Sequence, residues 1–149
     1  PEGQGIGRHV FEYALVPHSG SWRAEDALPL RQAQEFEEPM RALVTEQHGG
    51  PLGASWSFVH VAPASLVVSA IKRSERGDGL IVRVYNPLSE PVRAEVILAR
   101  PFADVSLVNL NEDPIDQGET SNLARILSTG VHVNAQGGQI VSLHFRMPA

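Results

Sequence analysis

The clearest alternation of apolar and polar positions lies in residues 57–87, where two β-branched apolar runs flank a charged segment. The runs cover residues 66–71 and 80–85, and an Asp-Gly pair closes the segment between them. Asp-Gly between alternating apolar runs is a strong hairpin signal, because glycine accepts the positive φ that tight turns require. The second run alternates with the period of a half-buried strand. The pattern therefore predicts a hairpin that forms the central antiparallel pair of a β-sandwich.

Shorter alternating runs recur along the chain, and turn-forming residues separate them. Each run has the length and the apolar pattern of a strand. The predicted strands besides the hairpin are residues 9–16, 41–46, 57–62, 92–99, 105–110, 131–134 and 139–146. Residues 111–123 are instead polar and rich in turn formers, which indicates a long loop.

Residues 29–37 form the one helical candidate. A proline can occupy the first helical position, and Asp26 lies just upstream as a possible cap. Leu30, Ala33 and Phe36 recur at the spacing of one helical turn. The proline shortly after the segment ends it, because proline cannot continue the hydrogen-bond pattern of a helix.

The strand spacing predicts a mainly β chain, an antiparallel β-sandwich with one short helix near the N-terminus. We expect two regions. Residues 1–56 are a strand, a short helix and a loop, and residues 57–149 are a β-sandwich. The glycine-rich residues 1–7 resemble a cut through a linker, so we expect the chain to be a fragment of a longer protein.

Composition excludes several functional classes. The formal net charge is −5, and no run of Lys or Arg is present, so we expect neither a nucleic-acid partner nor an anionic membrane partner. The apolar runs are too short to span a bilayer. The chain has no cysteine, which excludes disulfides and thiol catalysis. A bacterial cytoplasmic location is the expectation that fits these features.

Candidate chemistry within the chain is sparse. The six histidines share no metal-ligand spacing, so we predict no metal site. Three carboxylate pairs could in principle act as acid and base. They lie at the helix end and in the polar loop, where solvated charge is expected, so we predict no catalytic residue. The pairs are Glu37 with Glu38, Glu112 with Asp113, and Asp116 with Glu119.

Three aromatic side chains could stack on a sugar ring, as flat apolar faces do in carbohydrate-binding sandwiches. They are Trp22, Trp56 and Tyr85. Each also has an ordinary explanation as a core or edge residue, and that explanation is favoured.

Two long motifs resemble one known family. Residues 7–18 read Gly-Arg-His-Val-Phe-Glu-Tyr-Ala-Leu-Val-Pro-His, and Trp22 follows after a short spacer. Residues 69–87 contain Ile-Lys-Arg-Ser-Glu-Arg-Gly-Asp-Gly-Leu-Ile-Val-Arg-Val-Tyr-Asn-Pro. Residues 109–112 and 139–143 follow in the same order as in that family. This set resembles the C-terminal β domain of bacterial α-mannosidases of glycoside hydrolase family 38.

The resemblance implies a supersandwich or immunoglobulin-like region, in which residues 1–56 continue from an upstream β-sandwich and residues 57–149 are the C-terminal β-sandwich. It also implies a division of labour within a longer parent enzyme. In that family an upstream α/β barrel carries a zinc ion and an aspartate nucleophile, and it hydrolyses terminal α-mannosyl residues with retention. None of those motifs is in this chain, so the resemblance implies no catalytic residue, no cofactor here and zinc in the missing domain. The implied partners are that upstream barrel and the α-mannoside substrate. The fragment alone is expected to be inactive.

A residue of the C-terminal β region can reach the cleft in this family, and Arg83 and Tyr85 on one face of the central strand are the candidates for substrate binding. An ordinary solvent-facing or interdomain pair is the favoured alternative. Two other functions stay open for the whole chain: a stand-alone carbohydrate-binding module and a protein-interaction domain. The first hypothesis, unlike these two, predicts an exposed apolar surface where the rest of the enzyme packs.

Overall fold

The computed structural model describes residues 5–23, 27–47, 49–115, 123–125 and 128–148, with only the backbone of residues 123–125. In this part of the chain one helix is followed by eight strands. The elements are α1 (Leu28–Glu37), β1 (Val59–Ala62), β2 (Val67–Arg73), β3 (Gly79–Tyr85), β4 (Val92–Leu98), β5 (Asp104–Val108), β6 (Leu123–Arg125), β7 (Gly130–Ala135) and β8 (Ile140–Arg146).

The strands form two four-stranded sheets. The strand order is β1-β4-β7-β6 in the first sheet and β2-β3-β8-β5 in the second, and every pairing is antiparallel. Strands that are distant in sequence pair directly, as β3 does with β8, so the chain passes repeatedly between the sheets. The predicted fold class is confirmed: the chain is a mainly β antiparallel sandwich with one short helix.

The core lies between the sheets and consists of apolar side chains at alternate strand positions. The second sheet contributes Val82 and Phe145 and the first sheet contributes Val96 and Val133, all fully buried. Burial of one such side chain contributes roughly 1.5–3 kcal/mol relative to exposure. The ring of Phe102 meets that of Phe145 edge-on, with centroids 5.0 Å apart. This packing fixes which faces of the strands point outward.

The predicted hairpin is confirmed in its pairing and corrected in its position. Arg73 lies opposite Leu80, and Gly77 in the connection adopts a φ of 76°. However, β2 stands at the end of the described sheet, and β3 alone of the pair has a strand on both sides. The free edge of β2 receives one hydrogen bond from α1, because Gln34 Nε2 donates to the Val68 carbonyl at 3.3 Å. Both strands of the hairpin carry an apolar run, so the sequence pattern did not separate the edge strand from the central one.

Five other strand predictions are confirmed to within two residues at each end, namely residues 57–62, 92–99, 105–110, 131–134 and 139–146. The predicted loop at residues 111–123 is corrected at its end, where β6 begins at Leu123. Residues 111–115 form a turn and an isolated bridge. The part of that loop at residues 116–122 lies outside the described residues.

The predicted strands at residues 9–16 and 41–46 are wrong, because the structure assigns no strand to either segment. Their large apolar side chains, such as Phe11, Leu15 and Leu43, are exposed. Alternation records which faces a segment presents, whereas a strand also needs a neighbour that pairs with its peptide groups. Neither segment has a neighbouring strand within the described ranges.

The predicted helix is confirmed and begins one residue earlier, at Leu28. The residue before it, Ala27, has a left-handed φ of 45° and provides no side-chain cap; the proposed cap Asp26 lies outside the described residues. Of the predicted apolar stripe, Ala33 and Phe36 are exposed. Across the described ranges, no helix has the length and apolar character needed to cross a membrane.

Candidate functional site

The face of the second sheet that points away from the core carries a group of polar side chains, and we call it the outer face. It is built from the strand positions that alternate with the core residues. The two candidates Arg83 and Tyr85 lie there on β3, and Ser142 and His144 lie beside them on β8. The structure therefore brings both predicted site residues to one surface, where each is half-buried.

Arg83 is partly fixed by its neighbours. Its Nε donates to the Ser142 hydroxyl at 2.9 Å, and its carbonyl accepts from Ser69 Oγ at 3.3 Å. A guanidinium has five donor N–H groups, and the other four form no hydrogen bond with described residues. Tyr85 lies between Val67 and Ile140 in the adjacent strands. Arg83 can thus hold a further acceptor, beside an aromatic ring.

Further along the same face, Glu112 is the centre of an ion-pair cluster. It is 4% exposed and lies in the turn after β5, with a left-handed φ of 65°. Its Oε1 is 2.9 Å from Lys72 Nζ, and its Oε2 accepts the backbone N–H of Glu75 at 2.7 Å. Lys72 also pairs with the exposed side chain of Glu75. Both carboxylate oxygens of Glu112 are therefore occupied.

These contacts shift the titration of the cluster. The hydrogen bond from Lys72, followed by that from the Glu75 backbone, lowers the pKa of Glu112. The hydrogen bond to Glu75, followed by that to Glu112, raises the pKa of Lys72. Both groups are held charged through the neutral range. A general acid needs a carboxyl pKa raised toward neutrality, so Glu112 is a structural anion and not a proton donor.

A second carboxylate lies at the β2–β3 turn. Asp78 accepts the Ser74 hydroxyl at 2.7 Å, and this bond is the largest cause that lowers the pKa of Asp78. His144 Nε2 lies 3.1 Å from Asp78 Oδ1, yet the ring nitrogen is not aligned for a hydrogen bond. Gly79 approaches so closely that a Cβ there would lie 2.8 Å from this nitrogen. The turn therefore fits tightly against β8.

The predicted solvated carboxylate pairs have different outcomes. Glu37 and Glu38 are exposed at the end of α1, as predicted. The prediction of a solvated carboxylate is wrong for Glu112, because this side chain is buried and contacts Lys72 and a backbone N–H instead of water. Its neighbour Asp113 is exposed. Outside the described residues lie Asp116 and Glu119.

Lys72, Ser142 and His144 also lie on the outer face, and the sequence did not single them out as site residues. The available signal was the register of the strands: Lys72 and His144 both lie opposite Ile81, which shares one side of β3 with Arg83 and Tyr85. The hairpin pattern predicted that β3 pairs with β2, but its pairing with β8 was not evident from the sequence, because β8 follows it by more than fifty residues. Non-local pairing therefore assembles this face.

The histidines and tryptophans make local contacts. His132 lies between Arg93, 2.7 Å from its Nδ1, and Glu95, 3.5 Å from its Nε2. Arg93 is a cation and can only donate, so His132 Nδ1 accepts this hydrogen bond and the trio is not a metal-ligand set. Trp22 stacks under the guanidinium of its neighbour Arg23 at 4.5 Å, and Trp56 tilts against a phenylalanine ring 6.0 Å away. His48 lies outside the described residues.

Within the described ranges, no group of three or more His, Cys, Asp or Glu side chains could hold a metal ion. The outer face instead consists of paired charges and hydroxyls that join β2, β8 and the turn after β5. Two antiparallel sheets that enclose one apolar core define this part of the chain as a β-sandwich domain.

Comparison with protein-family models identifies the family of this domain. The sequence model of the "Glycosyl hydrolases family 38 C-terminal beta sandwich domain" matches residues 65–143. The chain belongs to this family, and the resemblance drawn from residues 7–18 and 69–87 is confirmed.

Individual relatives agree with this assignment. Alpha-mannosidase 2C1 of Homo sapiens is 30% identical over 115 residues, which is 75% of this chain and 11% of that protein. A putative mannosylglycerate hydrolase of Halalkalibacterium halodurans is 26% identical over 147 residues, 97% of this chain and 15% of that protein. The chain thus spans about an eighth of the length of these relatives. No solved structure matches it significantly.

Proposed function

We propose that this chain is the non-catalytic C-terminal β-sandwich portion of a zinc-dependent, retaining α-mannosidase. The observation that carries the proposal is the family match over residues 65–143, together with relatives named alpha-mannosidase and mannosylglycerate hydrolase. In this proposal the chain supports a catalytic barrel elsewhere in the parent polypeptide and borders its cleft. The substrate of the parent enzyme is a terminal α-mannoside.

The proposed zinc ion belongs to that other domain. A catalytic zinc site needs three protein ligands, usually His with Asp, Glu or Cys. No such group exists among the described residues, so they do not fit the metal, and we derive no catalytic step through it. What this chain supplies is a rigid surface, because ion pairs and hydrogen bonds join its outer face to the turn after β5.

Arg83 and Tyr85 remain our proposed contacts with substrate. Both lie on the outer face, and Arg83 keeps donor groups beyond its bond to Ser142. In the parent enzyme we expect Arg83→Met to raise KM about tenfold with little change in kcat, because it removes binding that substrate and transition state share. Arg93→Met, on the outward side of the first sheet, is the matched control and should leave both constants unchanged. Unchanged kinetics for Arg83→Met would remove this role.

The test of the overall proposal compares two proteins in one assay. The parent polypeptide is expected to hydrolyse a p-nitrophenyl α-mannoside and to lose that activity with a zinc chelator. The 149-residue chain is expected to show no turnover. A parent polypeptide that lacks α-mannosidase activity, or turnover by the chain itself, would refute the proposal.

The two alternative functions give different results with the same chain. A carbohydrate-binding module would bind mannosides in calorimetry and lose binding with Trp22→Ala or Trp56→Ala, whereas we expect a flat titration. A protein-interaction domain would retain a separate partner protein while the mannoside titration stays flat. The cytoplasmic, bacterial location remains a prediction.

A further inference from the structure

The N-terminal part of the chain carries an apolar surface that the sandwich does not cover. Phe11, Tyr13 and Leu15 occupy alternate positions and are 84–89% exposed. Exposure of several large apolar side chains in a row to water is unfavourable. Large exposed apolar patches therefore mark interaction sites. No peptide group of residues 10–16 is hydrogen-bonded to another described backbone group. The segment therefore has a strand's alternation, and its peptide groups have no backbone partner within the described ranges.

The helix continues this surface. None of its residues is buried, and it meets the sandwich through a polar side chain, Gln34. Its apolar residues Ala33 and Phe36 line one groove together with Tyr13 and Val16. We call this groove, with the adjoining row at residues 11–15, the N-terminal groove. It presents both apolar side chains and unpaired backbone, the combination that accepts an added strand.

We propose that the N-terminal groove is the docking site for another segment of the same polypeptide, which pairs with residues 10–16 as a β-strand. This inference rests on the proposed function, in which the chain is part of a longer enzyme. The groove lies outside residues 65–143, which the C-terminal sandwich family model matches. It lies inside the region aligned with the mannosylglycerate hydrolase relative, of which this chain covers only 15%. We therefore expect the occupant to come from the rest of such a longer polypeptide.

Charge distinguishes this occupant from a second copy of the chain. Glu12 and Glu37 line the groove, and among the described residues no Lys or Arg does. A symmetric dimer places the same patch on both subunits, so these carboxylates would face like charges. The expected segment is apolar where it meets Phe36 and Tyr13, and it carries Lys or Arg at its ends.

Hydrogen exchange of the parent polypeptide tests the proposal. In the parent polypeptide we expect the amides of residues 10–16 to exchange about 100-fold more slowly than in the 149-residue chain, because strand pairing protects amides. The amides of β3 should be protected in both samples. In the parent, Tyr13→Asp should abolish the protection of residues 10–16. Leu110→Asp changes an exposed apolar residue outside the groove and should not.

Rapid exchange of residues 10–16 in the parent polypeptide would overturn the proposal. So would protection in the isolated chain that increases with its concentration, because that result indicates self-association. The mannoside assay on the same samples separates the two proposals. An active parent with unprotected residues 10–16 refutes the docking site alone, whereas an inactive parent with protected residues refutes the enzymatic function alone.

Discussion

Glu112 Oε1 lies 2.9 Å from Lys72 Nζ, and this contact joins the turn after β5 to the edge strand β2. Glu112 is buried and its backbone is left-handed, a conformation that costs a non-glycine residue roughly 1–2 kcal/mol. The turn keeps this conformation because both carboxylate oxygens have partners. The backbone N–H of Glu75 holds the second oxygen at 2.7 Å. One side chain therefore fixes three segments of the outer face.

Glu112→Gln is expected to lower the urea midpoint of unfolding clearly, because the buried ion pair and one charge-assisted hydrogen bond are lost. Glu75→Gln is the matched control, since Glu75 also contacts Lys72 but its side chain is 77% exposed. Exposed ion pairs contribute little, so this control should shift the midpoint several-fold less. Equal shifts for the two variants would show that buried Glu112 contributes no more to stability than exposed Glu75.

Stability should decrease in acid because of two carboxylates. The pKa of Glu112 is lowered from 4.5 by Lys72 and the Glu75 amide, and that of Asp78 is lowered from 3.8, chiefly by the Ser74 hydroxyl. A lowered folded-state pKa stabilises the fold above the ordinary value, and this stabilisation is lost as the pH falls through the folded-state value. The loss therefore begins below pH 4.5 and extends past 3.8.

Urea unfolding at a series of pH values measures this effect. The double variant Glu112→Gln with Asp78→Asn should show a flatter acid limb than the unmodified chain. At the alkaline end the sign reverses: the pKa of Lys72 is raised from 10.5, so its stabilisation is present below that value and is lost as the pH rises above it. An acid limb of unchanged slope in the double variant would show that Glu112 and Asp78 do not cause the loss of stability in acid.

The sequence was sufficient for the sandwich because local patterns carry the relevant information. Alternation in β3 and β8 and the glycine at position 77 determine strands and turn without reference to distant parts of the chain. The failures at residues 9–16 and 41–46 show the limit of that logic. Alternation there gives each of the two segments one apolar face. A strand, however, forms only beside a partner, and pairing is a non-local property.

The site was less predictable than the fold. Arg83 and Tyr85 were placed on one face correctly, since that placement needs only the period of a single strand. Glu112 was assigned to solvent because a polar loop usually is exposed. Its burial depends on Lys72, forty residues away in sequence, and no local signal reports a contact at that distance.

Gly79→Ala is expected to be severely destabilising. A Cβ at this position would lie 2.2 Å from the carbonyl oxygen of Phe145, which belongs to the adjacent strand β8 and cannot move without breaking the ladder. Overpacking of this kind costs about 3 kcal/mol or more when the backbone is the obstacle. Gly50→Ala is the control, because a Cβ there meets nothing within 4 Å. Thermal unfolding of both variants should show a large loss for Gly79 and almost none for Gly50.

Asn86 links the end of β3 to the turn before β8, and its amide chemistry can be tested directly. It is fully buried, and its Nδ2 lies 2.8 Å from the Glu90 carbonyl and 3.1 Å from those of Ala135 and Gln136. Its Oδ1 accepts the N–H of Leu88 at 3.0 Å.

Asn86→Asp should destabilise the chain more at neutral pH than Asn86→Ala, because it directs a carboxylate at three carbonyl oxygens. An unsatisfied buried polar group costs roughly 1–3 kcal/mol, and a charged one costs more. Mild acid should partly restore the Asp variant, since a protonated carboxyl can donate one hydrogen bond, and it should not restore the Ala variant. Asn134→Asp, at an exposed position, provides the control for added charge. If the Asp and Ala variants of Asn86 responded alike to pH, the donor role of Nδ2 would be excluded as the reason for this asparagine.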